Sequence, residues 1–231
     1  MIKIMRHLFP ILALLILSIT ASYASASDSI CHGTTSNGSL ENGVQLPSEG
    51  NNFESYSNVA RLAGRTYVHS SVYNIIVAAY SDLEREQPNK VYKYAETGFK
   101  DGGEFSPHKT HRNGLSVDFI VPVVNSIGES VHLPTNLFNK FGYNIEFDNS
   151  GHYEGFKIDY EAMAAHIVAL HSEAKKLGYD IWRVIFAPEL QPNLFKTKYG
   201  VYLKDNIQFS TKRSWVRHDE HYHVDFIVPC Q

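Results

Sequence analysis

Hydrophobic residues recur with helical spacing in two segments of this chain. In the first, hydroxyl residues at 70–71 precede apolar positions that repeat every three or four residues along 72–83, and Gln-Pro at 87–88 ends the pattern. In the second, apolar residues recur along 159–176, and Gly178 follows them. The two patterns predict two amphipathic helices, each with one face buried against a core.

Three runs rich in β-branched and aromatic residues predict strands at 115–123, 181–187 and 221–228. Between these elements lie two long, polar, turn-rich stretches, 124–157 and 188–214, of the kind that often forms binding walls or lids. The order is helix, strand, loop, helix, strand, loop, strand. It predicts an α+β fold: a single domain with a central, mainly antiparallel β-sheet, flanking helices and long active-site loops.

The first residues have the features of an export signal. Lys3 and Arg6 precede an apolar run at about 8–21, and small residues follow it. The run is shorter than the ~20 residues that a membrane-spanning helix needs. We therefore predict a signal peptide at 1–26 and a mature domain at 27–231, located in the periplasm without stable membrane insertion after cleavage.

The composition of the mature chain excludes some partners. Cleavage removes 2 of the 21 basic residues and none of the 24 acidic ones, which moves the formal charge from −3 to −5. Such a surface offers no electrostatic reason to bind nucleic acid or anionic lipid.

The two ends of the mature chain each carry one cysteine, Cys31 and Cys230. Export to an oxidising compartment predicts a disulfide between them, with two free thiols as the alternative. The segment 29–57 is rich in Ser, Gly and Asn and has few apolar residues. It is predicted to be an irregular arm that lies over the domain.

The last predicted strand begins in a histidine cluster, His-Asp-Glu-His-Tyr-His at 218–223. Side chains two residues apart on a strand point to the same face, so His221 and His223 should project together, with Asp225 next along that face. Neutral imidazole is the commonest metal ligand in proteins. Either both histidines bind one metal, or one binds while the other stays available for proton transfer.

A second cluster, about a hundred residues upstream, offers further ligands: His108 and His111 precede the strand that carries Asp118, and Gly114 permits the turn between them. One nitrogen and one oxygen from this unit, with one nitrogen from the last strand, make three protein ligands. A three-ligand zinc site keeps a position for water, which is typical of catalysis. Two histidines and one carboxylate in a hydrolytic pattern favour zinc over manganese or iron.

The combined pattern resembles the penicillin-insensitive murein endopeptidases, exported zinc peptidases in the same broad group as lysostaphin-type and D-Ala-D-Ala peptidases. The resemblance rests on Gly-Gly-Glu-Phe at 102–105, His-x-x-His at 108–111, Gly-Leu-x-Val-Asp at 114–118 and Trp-Val-x-His-x-x-His-x-His-Val at 215–224. The better-known members carry more disulfides than the single pair available here.

The resemblance implies that His111, Asp118 and His223 are the zinc ligands. It also implies that His221 takes a proton from the attacking water. The alternative base is Glu220, which has the spacing of the glutamate base in the D-Ala-D-Ala peptidases. If the strand already begins at Glu220, its side chain points away from the metal face.

By the same resemblance, His108 and His218 line the site and either stabilise the oxyanion or fix the substrate. The implied activity is that of a zinc-dependent murein endopeptidase, which hydrolyses D-alanyl–meso-diaminopimelyl cross-links of peptidoglycan through a zinc-bound water. Two other functions stay open: a carboxypeptidase that trims terminal D-alanine from stem peptides, and a non-catalytic zinc-binding module of the cell wall.

Overall fold

The computed structural model describes residues 28–214 and 216–231. Its helices are α1 Asn58–Leu62, α2 Ser70–Glu86, α3 Tyr160–Lys176, α4 Gln191–Leu194 and α5 Gly200–Asn206, with a 3-10 helix at Leu137–Gly142. Its strands are β1 Ile30–Thr34, β2 Asn37–Glu41, β3 Val44–Gln45, β4 Phe53–Ser55, β5 Tyr67–Val68, β6 Tyr92–Tyr94, β7 Ser116–Ile120, β8 Val123–Val124, β9 Ser130–Val131, β10 His152–Tyr153, β11 Phe156–Ile158, β12 Asp180–Ile185 and β13 His221–Ile227.

The central sheet has the strand order β12-β13-β7-β6-β4. Neighbouring strands are antiparallel, except that β4 and β6 run parallel. The mixture of helices with a mainly antiparallel sheet confirms the predicted α+β class. The predicted strands at 115–123, 181–187 and 221–228 correspond to β7, β12 and β13.

The register of β13 positions the histidine cluster. His223 lies directly opposite Asp118 of β7, so the two sequence clusters meet across one strand pair. The predicted alternation is confirmed, because His221 and His223 face the site while Tyr222 between them packs into the core. The Tyr222 ring is 0% exposed and stacks on Phe119 with centroids 5.5 Å apart.

The two predicted helices are confirmed as α2 and α3, and they pack against each other. Tyr80 of α2 stacks on His166 of α3 at 5.0 Å, and His166 in turn meets the edge of Phe119 at 4.7 Å. These contacts fix both helices on the face of the sheet opposite the histidine cluster. Asp159 caps α3 by accepting a hydrogen bond from the Ala162 amide at 3.0 Å.

The predicted disulfide is confirmed: the sulfur atoms of Cys31 in β1 and Cys230 after β13 are 2.06 Å apart. Two backbone hydrogen bonds continue this connection, from Gln231 N to Cys31 O at 2.9 Å and from Gly33 N to Gln231 O at 3.2 Å. The strand that carries the histidine cluster is therefore fastened to the start of the described chain.

The prediction of an irregular arm at 29–57 was wrong. β1 and β2 form an antiparallel hairpin in which Thr34 lies opposite Asn37, and β4 extends the central sheet beside β6. The strand ladder uses backbone groups, which Ser, Gly and Asn supply as well as other residues do. The few apolar side chains of this segment, such as Leu40 and Phe53, are buried.

The stretches 124–157 and 188–214 also hold more regular structure than expected. The first contains β9, β10, β11 and the 3-10 helix, and the second contains α4 and α5. These elements are too short to produce a hydrophobic period in the sequence. Both stretches still contribute walls near the histidine cluster, through Tyr143 and Ser214 respectively.

The predicted signal peptide at 1–26 lies outside the described residues, and it stays a prediction together with the domain boundary at 27. Within 28–214 and 216–231, no helix combines the length and the hydrophobicity needed to cross a membrane.

Candidate metal centre

The predicted site residues lie together on the open face of β7 and β13. A cavity of about 170 Å³ is lined by five of them, and the sixth, His111, packs its ring 4.8 Å from the ring of His223. All are buried except His108, which is partly exposed. The lining five are His108, Asp118, His218, His221 and His223.

Asp118 occupies the middle of the group. Its Oδ1 lies 2.8 Å from His223 Nδ1 and 3.4 Å from His111 Nε2, and its Oδ2 lies 3.8 Å from His221 Nε2. Burial raises the pKa of this carboxyl, but the imidazoles of His111 and His221 outweigh burial and hold it well below its usual range. Asp118 is therefore a carboxylate with ring nitrogens on several sides.

His111 presents an unpaired nitrogen to this carboxylate. Its Nδ1 donates to the backbone oxygen of Thr97 at 3.1 Å, while its Nε2 is buried without a hydrogen-bond partner among the described residues. Buried polar atoms are rarely left unpaired, so an unpaired lone pair facing a carboxylate is typical of a metal ligand. The chain reaches Asp118 through Gly114, which has φ +77° and whose added Cβ would lie 2.7 Å from His69 N.

His223 is held by a buried network on its far side. Its Nε2 donates to Asp225 Oδ1 at 2.8 Å. Asp225 is 0% exposed and also accepts from Ser116 Oγ at 2.6 Å and Arg183 Nε at 2.7 Å. Burial disfavours the imidazolium of His223, but the carboxylates of Asp225 and Asp118 raise its pKa to about 10. Asp225 therefore holds the far side of the His223 ring, and the opposite nitrogen, Nδ1, faces Asp118.

His221 is oriented by its neighbour Glu220. The Nδ1 of His221 donates to Glu220 Oε1 at 2.7 Å, and its Nε2 faces Asp118. Burial lowers the pKa of His221, but the carboxylates of Glu220 and Asp118 more than reverse this effect and raise it. β13 begins at His221, and the Glu220 carboxylate contacts the imidazole rather than the Asp118 side of the site.

His218 lies beside His221, with ring centroids 4.6 Å apart, and its backbone has φ +57°. Its Nδ1 donates to Val216 O at 3.0 Å. Burial, with a further contribution from His221, lowers the pKa of His218 to about 3, so the ring is neutral at pH 7. In that tautomer Nε2 is an acceptor, which suits a substrate N–H better than an oxyanion.

His108 is anchored by Glu96. The Nε2 of His108 bonds the Glu96 carboxylate, and its Nδ1 lies 4.0 Å from Asp118 Oδ2. Glu96 also accepts from the guanidinium of Arg65 and from Tyr56 Oη at 2.8 Å. Burial raises the pKa of Glu96, but the bonds from His108 and Arg65 dominate and lower it to about 2. Glu96 is thus an ionised carboxylate that bonds Tyr56, Arg65 and His108 and holds the His108 ring in place.

The group includes donor atoms that could hold a metal ion. Two donors bound at about 2.1 Å in a tetrahedral geometry lie about 3.4 Å apart, and His111 Nε2 and Asp118 Oδ1 are 3.4 Å apart. His223 Nδ1 lies 2.8 Å from Asp118 Oδ1, about 0.6 Å less than the spacing expected for two metal donors. A second candidate set contains His108 in place of His223: ligand atoms of His108, His111 and Asp118 all lie within 4.8 Å of one another. His111 and Asp118 are common to both sets, and the third candidate ligand is either His223 or His108.

Tyr143 and Glu96 reach the site without having been predicted. Tyr143 Oη donates to Asp118 Oδ2 at 3.2 Å, and its ring meets the edge of His221 at 5.0 Å. Tyr143 lies within the stretch 124–157 that the sequence marked as a binding wall, which was the one available signal. Glu96 carries no local signal, because only the folded sheet brings it to His108.

A comparison with curated proteins finds no match for this chain. A family model described as penicillin-insensitive murein endopeptidase matches residues 31–231, a span that includes both cysteines and both histidine clusters. Family membership implies a hydrolase that acts on peptidoglycan. The predicted resemblance is thereby confirmed, and the chain belongs to the penicillin-insensitive murein endopeptidase family.

Proposed function

We propose that this protein is an exported, zinc-dependent endopeptidase of the periplasm that hydrolyses D-alanyl–meso-diaminopimelyl cross-links of peptidoglycan. The observation that carries the proposal is the convergence of two imidazoles on the buried carboxylate of Asp118, one of them with an unpaired nitrogen. A hydrogen-bonded structural network would pair that nitrogen. A metal ligand leaves it available.

In this proposal His111, Asp118 and His223 hold the metal. His223 is favoured over His108 as third ligand because it lies directly opposite Asp118 on the neighbouring strand and is buried, whereas His108 is partly exposed. Asp225 fixes the ring of His223 in the way that partners of metal-bound histidines do. When bound, zinc supplies Lewis-acid polarisation of the substrate carbonyl and lowers the pKa of a coordinated water.

Two residues of the protein are proposed to transfer the proton of the attacking water. His221 Nε2 faces the centre and accepts the proton of the attacking water, and Glu220 holds the opposite nitrogen and stabilises the imidazolium that results. This geometry supports His221 over Glu220 as the base. His218, neutral with Nε2 as an acceptor, is assigned to binding a substrate N–H.

The experiment compares wild-type protein with His221→Ala and His218→Ala on purified cross-linked muropeptide dimers and on monomers ending in D-alanine. We expect wild-type cleavage of the dimers only, and a loss of 10²–10⁴-fold in kcat for His221→Ala with zinc content unchanged. Cleavage of monomers alone would indicate a carboxypeptidase. Zinc binding without any cleavage would indicate a non-catalytic module.

The third ligand is tested separately by zinc titration of His223→Ala and His108→Ala. His223→Ala should abolish tight zinc binding, whereas His108→Ala should retain it. The opposite result would assign the third ligand to His108, within the group formed by His108, His111 and Asp118.

A further inference from the structure

A second and larger cavity, of about 430 Å³, adjoins the candidate metal centre. Three of its lining residues belong to both places: His108 and Val216 also line the small cavity of the centre, and Tyr143 donates to Asp118 at 3.2 Å. A molecule bound in the larger cavity therefore contacts side chains that a substrate at the centre also meets. The cavity is placed to receive a part of the substrate next to the scissile bond.

The charged side chains on the wall of this cavity are Arg65, Glu96 and Lys140. Arg65 and Glu96 neutralise each other, because the guanidinium bonds both carboxylate oxygens and Tyr56 and His108 complete the carboxylate's partners. Within 28–214 and 216–231, the ammonium of Lys140 has no ion-pair or hydrogen-bond partner. Lys140 is exposed and gives the cavity one uncompensated positive charge.

The backbone that carries this charge is held in a conformation that ordinary residues seldom adopt. Lys140 and Phe141 have φ of +50° and +58°. The Asn136 amide donates to Asn139 Oδ1 at 2.8 Å, and the Asn139 amide donates back to Asn136 Oδ1 at 3.3 Å. The Phe141 ring packs edge-on against Tyr56 at 6.1 Å. Strained residues persist where their surroundings fix them, and they are concentrated at ligand sites.

We propose that this cavity binds the free carboxylate next to the scissile amide of the substrate, and that Lys140 determines specificity for its negative charge. The proposal rests on the proposed function. In the proposed cross-link, the carbon that carries the leaving nitrogen also carries a carboxylate, about 3–4 Å from the scissile carbonyl carbon. A group at that distance from the centre reaches a cavity that shares His108 and Tyr143 with it.

The rest of the cavity wall suits the same occupant. Phe141, Tyr143, Pro107 and Val216 give it a largely apolar lining beside the charged rim. An aliphatic side chain that bears one carboxylate satisfies both parts, since the chain contacts the apolar wall and the carboxylate contacts Lys140. One lysine matches one carboxylate as a point charge.

The test uses two synthetic cross-linked peptides that differ only in this carboxyl group, which is either a free acid or a carboxamide. They are cleaved by wild-type protein, Lys140→Asn, Lys140→Arg and the control Lys157→Ala. Asparagine removes the charge and tolerates a left-handed backbone, so the loop is preserved. Lys157 is an exposed lysine on β11 outside both cavities.

We expect wild-type protein, Lys140→Arg and Lys157→Ala to prefer the free acid by about tenfold in kcat/KM, mostly through KM, as for a charge-assisted contact. Lys140→Asn should lose this preference by becoming slower on the free acid alone. If Lys140→Asn keeps the preference, or if wild-type protein cleaves both peptides equally, the carboxylate assignment is wrong while the proposed function stands.

Failure of the proposed function gives a different result, in which wild-type protein cleaves neither peptide. Binding of the two uncleaved peptides, measured by calorimetry with the wild-type and Lys140→Asn proteins, then decides the assignment independently. A charge preference that disappears in Lys140→Asn supports it, and equal binding of acid and amide overturns it.

Discussion

Replacing Asp225 by asparagine should weaken metal binding although no proposed ligand is removed. The Asp225 carboxylate is 0% exposed and receives three donors: His223 Nε2, Ser116 Oγ and Arg183 Nε. Asparagine keeps the size but offers one acceptor oxygen and one donating NH2 group. At least one of the three donors then faces another donor, and the contact with His223 loses the negative charge that strengthens it.

The expected loss follows from this geometry. Removing a partner that orients a metal-bound histidine typically lowers metal affinity by about 10–100-fold, which corresponds to about 1.4–2.7 kcal/mol. The bond from His223 to Asp225 is 2.8 Å long and completely buried, so the variant should fall within this range rather than below it.

The assay is a zinc titration in competition with a chromophoric chelator, with thermal unfolding as a check on the fold. The matched control is Asp180→Asn on β12, in the same strand pair. Asp180 is 39% exposed in its side chain and bonds Lys175 at 2.9 Å, away from the centre. Asp180→Asn should bind zinc like the wild type.

Equal zinc affinity for Asp225→Asn and wild-type protein, with both folded, would contradict this prediction. It would show that the orientation of His223 does not contribute to the metal site, and it would favour His108 as the third ligand.

Other substitutions test the elements around the centre. Glu96→Gln should lower the free energy of unfolding, measured with urea, by about 2–3 kcal/mol at neutral pH. The folded protein lowers the pKa of Glu96 from 4.5 to about 2. The difference between wild type and variant should therefore disappear as the pH falls from 4.5 to 2. A pH-independent difference would contradict the ionic role. Replacing Cys31 and Cys230 by serine should cost up to about 5 kcal/mol, since the disulfide joins positions 199 residues apart; unchanged urea midpoints would oppose this. Tyr143→Phe should weaken zinc binding about 2- to 10-fold by removing the bond to Asp118, and unchanged affinity would exclude that contribution.

The sequence predicted the parts of the fold that repeat over many residues. α2 and α3 are each 17 residues long, which is enough for a helical period to stand out. The alternation of β13 was equally clear, because His221 and His223 leave Tyr222 between them for the core. β13 carries one histidine cluster, and α2 and α3 cover the opposite face of its sheet, so the general position of the site could also be predicted.

The parts that escaped prediction depend on contacts between distant residues. β1 and β2 are held by backbone hydrogen bonds, which leave no mark on residue type. Glu96 reaches the site only because the chain after β6 runs beside β7, where Asp118 N donates to Glu96 O at 2.9 Å. Lys140 lines the larger cavity because it follows a turn that is held by the side chains of Asn136 and Asn139. None of these relations has a fixed spacing along the chain.

We propose that a metal held at Asp118 makes this protein active as a murein endopeptidase. The most direct test measures cleavage of purified cross-linked muropeptide dimers by mass analysis, using protein as isolated, protein treated with a chelator, and treated protein resupplied with zinc. We predict that the D-alanyl–meso-diaminopimelyl bond is cut, that the chelator abolishes cleavage, that zinc restores it, and that penicillin has no effect. Dimers left intact by zinc-loaded protein, or cleaved at the same rate after complete metal removal, would contradict the account.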